Sequence, residues 1–220
     1  MLITTNNNPV AFVRTTDEIL KAGASRKAKL DIFSLMQGEP VFLETSLTDD
    51  GQLYDLAVFD SAGKPVLATG ISPTHVFEGD TATGEDYASL AAYPSLCQAW
   101  DRLARVLAGR TVVSYQASET FYRLLFALSD CGIEFEFAGL VDASEALQRV
   151  LGSRHSLASA YELLGGQEAI GSDMAYGKAL MLAQVYRSIA DSVEEPLRSG
   201  TVSGAVYREI HNARNEKGSL

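Results

Sequence analysis

Between residues 39 and 72 the apolar positions fall into three short runs, EPVFLETS, QLYDLAVFD and PVLATGIS, parted by TDDG and SAGK. Runs of this length with turn residues between them predict three consecutive strands joined as antiparallel hairpins. Upstream, TTDEILKAGASRKAKLDIFSLMQ carries Asp17 and Glu18 where a first turn would lie, then Leu20, Ala24, Ala28, Leu30 and Phe33 near helical spacing. This predicts an N-terminal helix, with Gly23 as its weak point. Downstream, Leu96, Trp100, Leu103, Val106 and Leu107 form one apolar face that Gly109 ends. RTVVSYQ then predicts a fourth strand leading directly into a helix over ASETFYRLLFALSDCG, and IEFEFAGLV predicts a fifth strand. Asp142 and Glu145 stand at capping-box spacing before EALQRVL, and HSLASAYELLGG and DMAYGKALMLAQVYRSIADSV predict two more helices. EEPLRSG reads as a linker to a last helix whose Val202, Val206 and Ile210 share one stripe. The organisation expected is one α/β domain over residues 1–194 with an extra N-terminal helix, followed by a linker and C-terminal helix over 195–220. Residues 41–46 and 111–116, apolar enough for burial on both faces, are expected as adjacent inner strands.

Composition narrows the classes. A chain of 220 residues with 46% hydrophobic and 21% charged content suits one sizeable core. A net charge of -10 argues against direct nucleic-acid binding, which draws its affinity from Lys and Arg displacing counterions. It favours a protein partner that is basic or itself handles nucleic acid. Cys97 and Cys131 lie in helical-looking segments without CxxC spacing, so they are expected as buried free thiols of a reducing compartment. No apolar run approaches the roughly 20 residues needed to span a bilayer, and MLITTNNNPV lacks a signal pattern, so a cytoplasmic protein off the membrane is expected.

Chemistry-bearing residues give few constellations. His75, His155 and His211 are scattered, no serine lies in GxSxG, and LLGGQEAIGSD follows a helix without GxGxxG spacing. Tyr54, Tyr115 and Tyr122 read as core or rim packing ahead of base stacking. The irregular stretch between Pro73 and Tyr93 sets Phe77 and Tyr87 among Glu78, Asp80, Glu85 and Asp86, and these six residues are the expected partner-binding surface, with the Val202, Val206 and Ile210 stripe of the C-terminal helix as the other candidate.

Three local motifs in order carry a family resemblance. VFLETSLTDDGQLYDLAVFDSAGKPV matches the surroundings of an Asp-x-Glu strand, VVSYQASETFYRLL matches a strand-to-helix junction, and SDMAYGKAL keeps the small residues Ala175 and Ala179 of a late helical motif. Together they make residues 35–192 resemble the DnaQ-like 3′-5′ exonucleases of the DEDD superfamily. The resemblance implies a ribonuclease H-like α/β fold, a five-stranded mixed sheet flanked by helices. It also implies four carboxylates holding two divalent metals roughly 3.5–4 Å apart, with a histidine as general base. Carried over by position, the first Asp falls on Glu44, its partner Glu on Ser46, the second-motif Asp on Thr120, the histidine on Asp173 and the final Asp on Lys178. Glu119 is one residue from the expected acid, a step of about 100° around the helix that aims it away. Lys178 puts a cation where a metal would sit, and an ion pair with Glu44 or Asp173 is expected in its place. The motif is degenerate, so no catalytic residue, metal or cofactor is expected. The expected function is that of a non-catalytic exonuclease-like protein acting by binding another protein, as a regulator or inhibitor of a nucleic-acid-handling complex. One specific form is a phage or mobile-element inhibitor of a guided defence system, an anti-CRISPR-like role. The alternative is a divergent, weakly active metal-dependent exonuclease.

Overall fold

The computed structural model describes residues 16–48, 50–74, 87–167 and 173–198. Its axis is β1 (Val41–Leu47), buried along nearly its whole length. On one edge β1 pairs antiparallel with β2 (Leu53–Phe59), which pairs antiparallel with β3 (Pro65–Gly70). On the other edge it runs parallel to β4 (Thr111–Ser114), with Val41 opposite Val112 and Phe42 opposite Val113, and β5 (Gly139–Asp142) follows in parallel. The sheet is five-stranded and mixed, in the order β3-β2-β1-β4-β5, with the two expected inner strands adjacent. The hairpin between β2 and β3 turns at Gly63, whose φ of 75° a side chain would resist.

Side-chain alternation along β1 divides the core between two faces. Phe42 points into a layer with Ala57, Phe59 and Val113 that is covered by α1 (Thr16–Met36), α5 (Ala143–Leu151), α6 (Leu157–Leu163) and α7 (Ala175–Arg198). There it meets Tyr186 of α7 edge-on, with ring centroids 5.4 Å apart. Val41 and Leu43 point the other way, onto α3 (Leu96–Leu107) and α4 (Ala117–Asp130), where Trp100, Leu103, Phe121 and Leu124 fill the second layer. A short helix, α2 (Tyr87–Leu90), brings Leu90 against Tyr54.

Several details differ from the sequence expectation. The fifth strand begins only at Gly139, because Phe135 and Phe137 are drawn out of line to pack edge-on against Trp100 at 4.8 Å and tilted against Phe121 at 4.9 Å. Helix α7 continues through Arg198, so residues 195–198 belong to it and not to a linker. Asp142 caps α5 by accepting from the amides of Ser144 and Glu145, but the box is one-sided, and Glu145 instead faces Arg149. The reciprocal capping box belongs to Ser95 and Gln98 at the start of α3.

The cysteines are the main correction. Cys97, in the first turn of α3, and Cys131, the C-cap of α4, form a disulfide, and no free cysteine is present. Their 34-residue separation carries no spacing signal, and the pairing depends on how α3 and α4 cross. The free-thiol argument for a reducing compartment therefore falls. Among the described residues no helix is long and apolar enough to cross a membrane. The proposed linker beyond Arg198 and the C-terminal helix with Val202, Val206 and Ile210 lie outside the described residues.

Candidate functional site

The same alternation that buries Phe42 puts Glu44 and Ser46 beneath the start of α7. Their partners across the β1–β2 pairing are Ala57 and Asp55. Asp55 accepts the amide of Ala175 through Oδ2 at 2.9 Å, which fastens the first turn of α7 over the strand ends. Ala175 and Ala179 are fully buried, and their small side chains let the helix lie close to the sheet. Ser46 Oγ donates to the main-chain carbonyl of Asp173 at 3.4 Å, while the Asp173 side chain is exposed.

Glu44 is the centre of the cluster. It is 4% exposed, and its Oε1 accepts the backbone amide of Tyr115 at 2.6 Å and the hydroxyl of Ser114 at 3.4 Å. Burial pushes its carboxyl up to about 8, against the opposing pull of the Tyr115 amide, the Lys178 ammonium and Ser114, while the Asp142 carboxylate adds to the rise. At neutral pH the group is mainly a neutral acid. Lys178, half-buried on α7, donates from Nζ to the carbonyl of Thr45 at 3.4 Å. It makes no ion pair with Glu44 or Asp173, contrary to expectation.

The β4–α4 junction completes the arrangement. Gln116 caps α4 in the left-handed conformation, φ 54°, without a side-chain capping bond, a conformation uncommon for a residue with a Cβ. Thr120, one turn into α4, is buried, whereas Glu119 is exposed. The Tyr115 hydroxyl donates to the carbonyl of His155, and burial raises its phenol, with Arg154 opposing. Asp142 was legible only as a cap. Parallel pairing sets it opposite Ser114, and its field reaches Glu44, Tyr115 and Tyr186. The alignment of β5 with β4 is the signal that could have placed it here.

Thus Glu44 and Ser46 near the end of β1 lie beside Lys178 and the Asp173 carbonyl, while Thr120 is buried on α4. The expected partner residues Phe77, Glu78, Asp80, Glu85 and Asp86 lie outside the described residues, and Tyr87 opens α2. A two-metal centre does not fit the residues that are gathered. Glu44 is an enclosed neutral acid, Ser46 supplies a hydroxyl, Thr120 a buried hydroxyl and Lys178 a cation. No three His, Cys, Asp or Glu side chains among the described residues lie close enough together to share a metal ion.

Solved structures share the architecture. Pop2p of S. pombe, in a form with Mg²⁺ and Mn²⁺ bound, superposes with a TM-score of 0.54 at 15% identity, covering 77% of this chain and 89% of that one. The RNase domain of the yeast Pop2 protein gives 0.52 at 11% identity over 83% and 90% of the two chains. This chain has the ribonuclease H-like fold of these structures. A full-length 3′-exonuclease gives 0.55 at 9% identity over 70% and 83%. At such identities the likeness concerns the fold alone. No protein-family model and no curated protein matches the chain. Within a ribonuclease H-like fold the ends of β1 and β4, under the start of α7, are the natural place for a site, because parallel strands open a crevice at their carboxyl ends.

Proposed function

We propose that this ribonuclease H-like chain is a degenerate, DnaQ-like member of the exonuclease superfamily that acts by binding a protein and not by cleaving nucleic acid. The observation that carries the reading is the Lys178 ammonium on the Thr45 carbonyl, beside a Glu44 that burial keeps protonated. Two divalent ions need converging carboxylates, and a fixed cation there repels them. An acidic chain of net charge -10 suits a basic or nucleic-acid-handling partner, in the manner of a regulator or inhibitor. The test incubates purified protein with end-labelled single- and double-stranded DNA and RNA in Mg²⁺ or Mn²⁺. No degradation above background is expected, and Glu44→Ala should behave as wild type does. Cleavage that disappears with Glu44→Ala would overturn the reading in favour of the divergent exonuclease, which the fold likeness supports.

A further inference from the structure

A helix packed on a sheet ordinarily turns a polar face outward. Helix α4 does not. Its inward face is already filled by Phe121, Leu124 and Leu128, yet Tyr122, Leu125 and Phe126 are 65%, 40% and 61% exposed. Tyr122 and Phe126, one turn apart, are stacked with centroids 6.4 Å apart and planes 25° from parallel, so they present a single rigid apolar ridge.

Acidic side chains bracket this ridge. Glu119 and Asp130 are exposed and bracket the two aromatics along the outward stripe of the helix. Glu134 and Glu136 are exposed on the neighbouring segment, whose Phe137 rests on Phe121 of α4. The cation of α4, Arg123, is turned away over the β1–β2 turn, with Nη1 2.9 Å from where a Cβ on Gly51 would stand. Stacked exposed aromatics could take nucleobases, but an acidic surround repels phosphates. A second copy of a chain this acidic would bring like charges together.

We infer that the α4 ridge docks a basic amphipathic segment of a partner protein. Apolar side chains of that segment would cover Tyr122, Leu125 and Phe126, and Lys or Arg stems would lie across the rings with their charged heads toward Glu119 and Asp130. Those two acids stand eleven positions apart on the helix, about 16 Å, which sets the spacing of the partner's cations. The inference rests on the reading that the chain works by binding a protein, and it assigns that work to the face opposite α7.

The full chain is titrated into a fluorescein-labelled helical leucine-lysine peptide with cationic residues about 16 Å apart, the span given by the helical rise. Binding should weaken with salt and fall by about tenfold or more in Tyr122→Ala/Phe126→Ala, as for central anchors of an interface. Glu119→Lys/Asp130→Lys should slow association, and hydrogen exchange should slow within α4 on binding. Leu163→Ala, which removes an exposed leucine on α6, should change nothing. Circular dichroism confirms that each variant is folded. The inference is overturned if the peptide fails to bind, or binds the ridge variants as well as wild type. It is equally overturned if an oligonucleotide is the ligand the ridge variants lose, if the wild type forms dimers that they disperse, or if the peptide binds only after residues 199–220 are deleted. A chain that cleaves nucleic acid yet binds the peptide at α4 would lose the non-catalytic reading and keep the ridge. A chain that does neither would lose the ridge alone.

Discussion

The backbone amide of Tyr115 donates to the carboxyl of Glu44 at 2.6 Å, so the end of β4 is clipped to β1 by a side chain where the main-chain ladder stops. The clip satisfies an amide that would otherwise be lost beneath α7. It also confines an ionisable group to a site where its charged form is poorly solvated.

That confinement makes stability depend on pH. Between about 4.5, the ordinary value, and about 8, the folded chain holds a proton on Glu44 that the unfolded chain releases. Stability from this group is therefore full below about 4.5 and is lost as pH rises through about 8. The loss is on the order of a few kcal/mol. Glu44→Gln keeps an acceptor for the Tyr115 amide and cannot ionise, so it should flatten the decline and raise the urea midpoint at pH 9. An unchanged pH profile in that variant would assign the slope to other groups.

Metal should not stabilise the fold. A ligand at a hundred times its dissociation constant adds roughly 2.7 kcal/mol to a folded protein, a readily measured rise in melting temperature. With millimolar Mn²⁺ the wild type should shift by less than about 1 °C, since a cation and a neutral acid face the site. A Mn²⁺-dependent rise abolished by Glu44→Gln would put a metal at the strand ends.

Tyr186 offers a stabilising substitution. Its hydroxyl is buried without a hydrogen-bond partner among the described residues, and burial raises its phenol above the usual range. Tyr186→Phe removes an unsatisfied polar atom and keeps the ring against Phe42, so it should raise stability by about 1 kcal/mol in urea denaturation. A comparable loss would show that the hydroxyl is bonded in solution.

Where local pattern decides structure, the sequence was sufficient. The three opening strands, the inner pair β1 and β4 and the helices flanking them follow from apolar runs and turn residues. The nearness of Glu44, Ser46 and Lys178 follows from family spacing. What escaped depends on three-dimensional relations that spacing does not carry. Asp142 reaches the cluster because β5 lies beside β4. Lys178 meets the Thr45 carbonyl instead of a carboxylate, a contact that spacing does not show. The cysteines pair because α3 and α4 cross, and Phe135 and Phe137 leave the strand for aromatic contacts across those helices.

Reduction should destabilise the chain. Closing a loop of 34 residues restricts the unfolded ensemble by roughly 3–4 kcal/mol on the chain-entropy account. Dithiothreitol, or Cys97→Ser/Cys131→Ser, should therefore lower the melting temperature by several degrees. An unaltered melting temperature would show that the pair is not formed in solution.

The bond between Cys97 and Cys131 also encloses most of α3, all of β4 and all of α4 in one covalent ring. A protease that cuts once inside the ring leaves both pieces tethered, with the strand bearing Ser114 and Tyr115 still joined to its neighbours. Such a nicked molecule runs as one species on a non-reducing gel and as two after reduction. The strand β4 can thus survive a break in the backbone around it, whereas β5 and the antiparallel strands β1 to β3 lie outside the ring and have no such safeguard.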